Sequence, residues 1–200
     1  MLFNKDKKVA LLTPPRTGSH TARVFLRSCG WFALKPPEQH NNLTELVANY
    51  PNLNNYTAYC FLRDPLKRFE STLLLWKQHE TASEILKIRL QKIGITTPIA
   101  EISYDEIVDN FHNLFELKWN LMRPLASWLD DPRVIALDFD NYDNELRRIA
   151  DKPDSVIQKH FVSSDFGKSV VTDKVRAFVR EFYAADYALA KDRLGKEYNP

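Results

Sequence analysis

The stretch Val9-Ala10-Leu11-Leu12-Thr13-Pro14-Pro15-Arg16-Thr17-Gly18-Ser19-His20-Thr21 changes period part-way through. Its first four residues are an unbroken apolar run, which suits a strand buried on both faces, and Thr13-Pro14-Pro15 stops it. From His20 onward Ala22, Phe25, Leu26 and Cys29 recur at i, i+3, i+4 and i+7, one face of a helix. Gly30 follows, where a left-handed cap closes a helix. The unit is strand, tight loop, helix.

A second unit of the same kind lies downstream. Tyr56 to Leu62 is rich in aromatics and reads as a buried strand. Asp64 then stands as an N-cap and Pro65 as the first helical residue, with Leu66, Phe69, Leu73 and Trp76 on the buried face of the helix. Between the units lie a strand candidate at Trp31 to Leu34, a loop from Lys35 to Asn42 and a helix around Leu43 to Asn49. Beyond them, Thr81 to Lys92 has helical spacing. Ser103 and Glu106 have the spacing of a capping box ahead of Ile107, Phe111, Leu114 and Phe115. Pro124 opens a short helix through Trp128, Val134 to Leu137 forms a strand, and a helix follows near Asn144 to Ala150. The stretch 152–171 is irregular. Thr172 caps one long helix with Val175, Phe178, Val179, Phe182 and Leu189 on a single face, ended by Gly195. Strands alternating with helices predict a three-layer α/β fold, a mostly parallel central sheet flanked by helices.

Composition narrows the class. The 200 residues are 44% hydrophobic and 27% charged, which suits one globular domain over 1–200 and excludes disordered and fibrous classes. With 28 Lys plus Arg against 26 Asp plus Glu, the formal charge is +2, so no broad basic surface is expected and nucleic acid is not an expected partner. A local basic pocket remains open to the chain. Apolar runs are far shorter than the ~20 residues a spanning helix needs, so no membrane span is expected, and no signal peptide is visible. Cys29 and Cys60 form no CxxC pair; both read as buried, reduced thiols of a cytoplasmic protein.

The first loop has the chemistry of an anion site. A helix N-terminus offers free N–H groups and a partial positive charge. Gly18 allows close backbone approach, Thr17, Ser19 and Thr21 add hydroxyl donors, and Arg16 adds a forked cation. The loop departs from the GxxxxGK[ST] pattern, since the first glycine and the lysine after Gly18 are both missing, which disfavours magnesium-dependent nucleotide chemistry. The second concentration of charge is Arg63-Asp64-Pro65-Leu66-Lys67-Arg68-Phe69-Glu70-Ser71. Arg63 closes a strand at the edge where open α/β sheets bind ligands, and Ser71 lies two turns into the helix, so the two bracket a second anion. Lys67 and Arg68 fit a solvated basic patch.

Together these two loops resemble those of the sulfotransferases that use 3′-phosphoadenosine 5′-phosphosulfate (PAPS), in the compact branch related to carbohydrate sulfotransferases. The resemblance is good over residues 7–76 and loose beyond, where Arg123-Pro124 to Leu129 and Val134 to Asp140 are similar to the family's later helix and strand. It implies a P-loop NTPase-like sulfotransferase fold. The 5′-phosphosulfate would lie on Pro15, Arg16, Thr17, Gly18, Ser19, His20 and Thr21, and the 3′-phosphate on Arg63 and Ser71. Many members carry Lys where Arg16 stands; an arginine stays charged, so Arg16 is expected to clamp the leaving phosphate electrostatically and not to donate a proton. The acceptor would be a hydroxyl or amine of a small molecule or glycan, the helical segment 79–125 would form much of its wall, and adenosine 3′,5′-bisphosphate (PAP) would be the product.

A sulfonyl group carries little charge, so in-line transfer needs positioning and donors, with no metal expected. The general base should lie near the first loop, and His40 in Glu38-Gln39-His40-Asn41-Asn42 is the candidate, with Glu38 as its substitute. His20 would contribute only backbone, His79 and His112 look like helix-surface residues, and His160, Ser163, Ser164 and Lys168 belong to a stretch that in relatives closes over the nucleotide. Trp76, Tyr104 and Trp119 are available for stacking on an acceptor, although each also fits a core role. The competing readings are a non-catalytic P-loop-like nucleotide-binding module and, further off, a small-molecule kinase.

Overall fold

A computed structural model of the chain describes residues 1–35, 38–78, 80–116, 122–159 and 171–199. Five strands form one sheet in the order β3-β1-β2-β4-β5, where β1 is Leu2–Asn4, β2 Val9–Leu12, β3 Phe32–Ala33, β4 Thr57–Leu62 and β5 Val134–Asp138. β2, β4 and β5 run parallel, with Leu12 opposite Cys60 and Cys60 opposite Ala136. β1 is antiparallel to both β2 and β3, so the sheet is mixed: parallel at one side and antiparallel at the other. β1 has no counterpart in the sequence reading. Three residues are too short for a visible alternation, and Leu2 is placed by its partner Leu11.

Helices cover both faces. Leu11, Phe61 and Leu137 pack with Phe25 and Leu26 of α1 (Ser19–Ser28) and Leu146 and Ile149 of α7 (Tyr142–Ala150). Ala10, Leu12, Cys60 and Leu62 pack on the other side with Leu43 and Leu46 of α2 (Leu43–Asn49), Trp128 and Ala190 of α9 (Ala184–Leu194). The α/β layering expected from the alternation of elements is present. A further core is built mainly by helices. It joins Phe69, Leu73 and Trp76 of α3 (Pro65–Gln78), Leu86 and Leu90 of α4 (Glu80–Lys92), Ile107 of α5 (Tyr104–Asp109), Phe111 and Leu114 of α6 (Phe111–Glu116), and Val175 and Val179 of α8 (Asp173–Phe182). Among the described residues no helix is long and apolar enough to cross a membrane.

Several local expectations hold. Asp64 caps α3 by accepting from the Leu66 amide (2.8 Å), and Thr172 caps α8 by accepting from Val175 (3.2 Å). Gly30 follows α1 at φ 81°. Others change. The long C-terminal helix is two helices, broken at Tyr183, whose buried hydroxyl donates to the Met122 carbonyl (2.8 Å). Leu189 consequently packs with the sheet-side core and not with Val175 and Val179. Ser103 accepts from the Glu106 amide, but the Glu106 carboxylate takes the Thr97 hydroxyl (3.2 Å), so the box is half-formed. A complete capping box stands instead at Asn42 and Glu45. Both cysteines are free thiols, with Cys60 buried and Cys29 only half-buried at the end of α1.

Candidate functional site

The parallel register brings the two loops together at the carboxyl ends of β2 and β4. In the first loop, side chains hold five backbone carbonyls. The Thr13 carbonyl accepts from His40 Nδ1 (2.6 Å), and that of Pro14 accepts from Thr17 Oγ1 (2.7 Å). The Pro15 carbonyl accepts from Arg68 Nε (3.2 Å), and that of Arg16 from Arg63 Nη1 (2.7 Å). The Gly18 carbonyl accepts from the Tyr142 hydroxyl (2.6 Å). In a trans peptide the carbonyl of one residue and the N–H of the next point opposite ways. Fixing the carbonyls of Pro15, Arg16 and Gly18 therefore turns the N–H groups of Arg16, Thr17 and Ser19 away from Arg68, Arg63 and Tyr142. Arg16 and Gly18 both adopt the left-handed conformation, at φ 64° and 73°. Left-handed residues in such a turn curl successive amides into an anion-binding concavity.

The side chains add positive charge to this backbone. The Arg16 guanidinium donates to Ser71 Oγ from Nε (2.9 Å) and from Nη2 (2.6 Å). The Arg63 guanidinium lies over the Phe139 ring, 4.7 Å from its centroid, and Phe139 in turn packs on Tyr142 at 5.3 Å. Burial pushes Arg16 below its ordinary pKa. Arg63 is pushed down to about 10, by burial first and then by the like charges of Arg16 and Arg68, with Asp64 and Glu70 opposing. Among the described residues neither Arg16 nor Arg63 forms an ion pair with a carboxylate. A cluster of this sign in a low-dielectric setting favours an incoming anion.

Thr17 and Thr21 are buried, Ser19 is half-buried, and His20 is exposed in the first turn of α1. Ser71 is buried and joined to Arg16, so the second loop's hydroxyl meets the first loop's cation. The solvated patch expected at Lys67 and Arg68 holds only for Lys67. Arg68 is 2% exposed because the carbonyls of Pro15 and Arg123 (2.9 Å) take its donors inside the protein.

His40 lies in a 3₁₀ turn, Glu38–His40, directly beside the first loop. Burial lowers its pKa from 6.5, the Thr13 hydrogen bond opposes this, and the charges of the Met1 amino group and of Arg23 add to the lowering. A carbonyl only accepts, so the neutral ring carries its proton on Nδ1 and keeps a lone pair on Nε2. The Glu38 carboxylate near the Tyr50 hydroxyl raises the pKa of that phenol. Trp76 is fully buried in the helical core and presents no stacking face, whereas Tyr104 is half-buried beside Lys77. His112 is exposed and packs on Phe182. His79, Trp119, His160, Ser163, Ser164 and Lys168 lie outside the described residues.

Sequence reasoning missed Tyr142, Phe139, Arg68 and Asp186. Asp186 is fully buried in α9 and accepts from the Leu125 (2.9 Å) and Ala126 (2.7 Å) amides, a contact across some 60 positions that no local pattern signals. No protein-family model, curated protein or solved structure matches the chain.

Proposed function

We propose that the chain is a sulfotransferase that moves the sulfonyl group of PAPS to a hydroxyl or amine of a small-molecule or glycan acceptor. One observation carries the reading. Two half-buried guanidiniums, Arg16 and Arg63, stand at the carboxyl ends of parallel strands, and neither forms an ion pair with a carboxylate among the described residues. Each costs free energy in that position, and a doubly anionic ligand offsets the cost. The turned-out amides of Arg16, Thr17 and Ser19 and the half-buried hydroxyl of Ser19 give one anionic group its donors, while the Thr17 hydroxyl is spent on the Pro14 carbonyl and shapes the turn; Arg63 and Ser71 belong to the second.

In the transfer, a bond forms between the acceptor oxygen or nitrogen and sulfur. The bond from sulfur to the bridging phosphate oxygen breaks, and PAP leaves with that electron pair. Arg16 stabilises the charge that develops on the leaving phosphate. His40, neutral and carrying a lone pair on Nε2, takes the acceptor proton. Calorimetry with PAP and with ATP plus magnesium tests the reading. Micromolar binding of PAP without added metal is expected. Tight binding of ATP with magnesium and none of PAP overturns it.

A further inference from the structure

The 122–126 segment is gripped from three directions by buried polar groups. Tyr183 donates to the Met122 carbonyl, Arg68 donates to the Arg123 carbonyl, and Asp186 accepts from the Leu125 and Ala126 amides. Arg68, Tyr183 and Asp186 are each 2% exposed or less. A buried guanidinium needs both hydrogen-bond acceptors and a compensating charge. Arg68 has the carbonyls of Pro15 and Arg123 for the first and lies within electrostatic reach of Asp186 for the second. The same segment and the residue after it reach the base side of the site, since Arg123 pairs with Glu45 (2.8 Å) and the Asn42 side-chain amide donates to the Ser127 carbonyl (3.1 Å).

We propose that Arg68 is a positioning residue: its guanidinium, fixed between the Pro15 and Arg123 carbonyls, sets the conformation of the 13–18 loop. Pro15 precedes the left-handed Arg16, so the direction of its carbonyl decides where the Arg16 amide points. Proline cannot supply an N–H of its own to hold the turn from the other side. Arg63 fixes the next carbonyl, and the two arginines thereby determine two successive peptide planes. Arg68 touches no substrate in this scheme. Its consequence for anion affinity rests on the sulfotransferase reading, but its effect on the loop does not.

The test compares Arg68→Met, the double variant Arg68→Met with Asp186→Asn, and Arg68→Lys. Melting temperature, ¹⁵N relaxation at Arg16, Thr17, Gly18 and Ser19, and PAP affinity are measured on each full chain. Arg68→Met strands the Asp186 charge, so it lowers the melting temperature, and removing that charge in the double variant restores part of it. Positioning requires the loop amides to stay mobile in the double variant, and PAP affinity to stay down by about tenfold or more, the scale of one charge-assisted hydrogen bond. If Arg68→Met does not fold, Arg68→Lys keeps the charge and loses the fork; it should fold with mobile loop amides. Loop order that returns together with the melting temperature reduces Arg68 to one half of an ion pair and overturns the proposal. Mobile loop amides in a chain whose wild type binds no PAP support the positioning role and remove the sulfotransferase reading instead.

Discussion

Arg16 and Ser71 are 55 positions apart in the chain and are joined by two donors of one guanidinium on one hydroxyl oxygen, at 2.9 and 2.6 Å. The contact spans the two loops that a ligand with two anionic groups would bridge. Ser71 is 1% exposed, so its hydroxyl is a fixed acceptor and not a surface group. Arg16 is thereby held in a conformation that a free side chain would lose rotamer entropy to reach.

Ser71→Ala tests that arrangement. The fold is expected to persist, with a loss of about 1–2 kcal/mol for the missing buried acceptor. PAP affinity is expected to fall about tenfold or more, because Arg16 loses its anchor. Urea unfolding and calorimetry on the same preparation separate the two effects, and unchanged affinity removes Ser71 from the site.

Gly18 sits at φ 73°, and a Cβ there would lie 2.6 Å from the Tyr142 ring. Gly18→Ala therefore meets two penalties, the left-handed conformation and the clash with a ring packed on Phe61 at 4.6 Å. A loss of about 2–4 kcal/mol in unfolding free energy is expected. Tyr142→Phe removes only the hydrogen bond to the Gly18 carbonyl and should cost about 1 kcal/mol. Equal costs for the two variants would show that the ring yields freely.

Much of this site was readable from the chain, and the reason is local. Val9 to Leu12 and Thr57 to Leu62 are runs long enough to register as buried strands, and the cap at Asp64 followed by Pro65 fixes where α3 begins. Arg16 and Arg63 could be assigned to loops because those boundaries were clear. What escaped depends on partners far along the chain. Arg68 looks solvated beside Lys67, and the acceptors that make its burial tolerable include the carbonyls of Pro15 and Arg123, 53 and 55 positions away. The break at Tyr183 is equally invisible locally, since Val175 to Leu189 keeps a helical period across it while its hydroxyl is claimed by Met122.

Phe139 supports Arg63 from below, with the guanidinium carbon 4.7 Å from the ring centroid. A cation over an aromatic face in a partly buried setting is worth about 0.5–2 kcal/mol. Phe139→Leu keeps the apolar volume and removes the π face, so PAP affinity should fall about threefold to tenfold, and Phe139→Tyr should restore it. If leucine binds PAP as tightly as phenylalanine does, the ring serves packing with Phe61 and Tyr142 alone.

His40 gives the pH dependence a definite sign. Its folded pKa lies below the 6.5 of the exposed side chain, chiefly through burial, and the Met1 amino group and then Arg23 add to the lowering. Between the folded value and 6.5 the unfolded chain binds more protons than the folded one, so stability rises with pH through that window. The contribution is complete above 6.5 and is lost as pH falls through the window. The difference in unfolding free energy between wild type and His40→Asn, followed by urea titration from pH 8 to pH 5, should stay flat down to about 6.5 and then shrink. Catalysis follows the same protonation. With a neutral His40 as base, kcat should be level above about pH 6.5 and fall on the acidic side, and His40→Asn should remove that limb with most of the rate. A variant that binds PAP normally and keeps the wild-type acid limb assigns the proton transfer to another group, and Glu38→Gln is then the next substitution to measure.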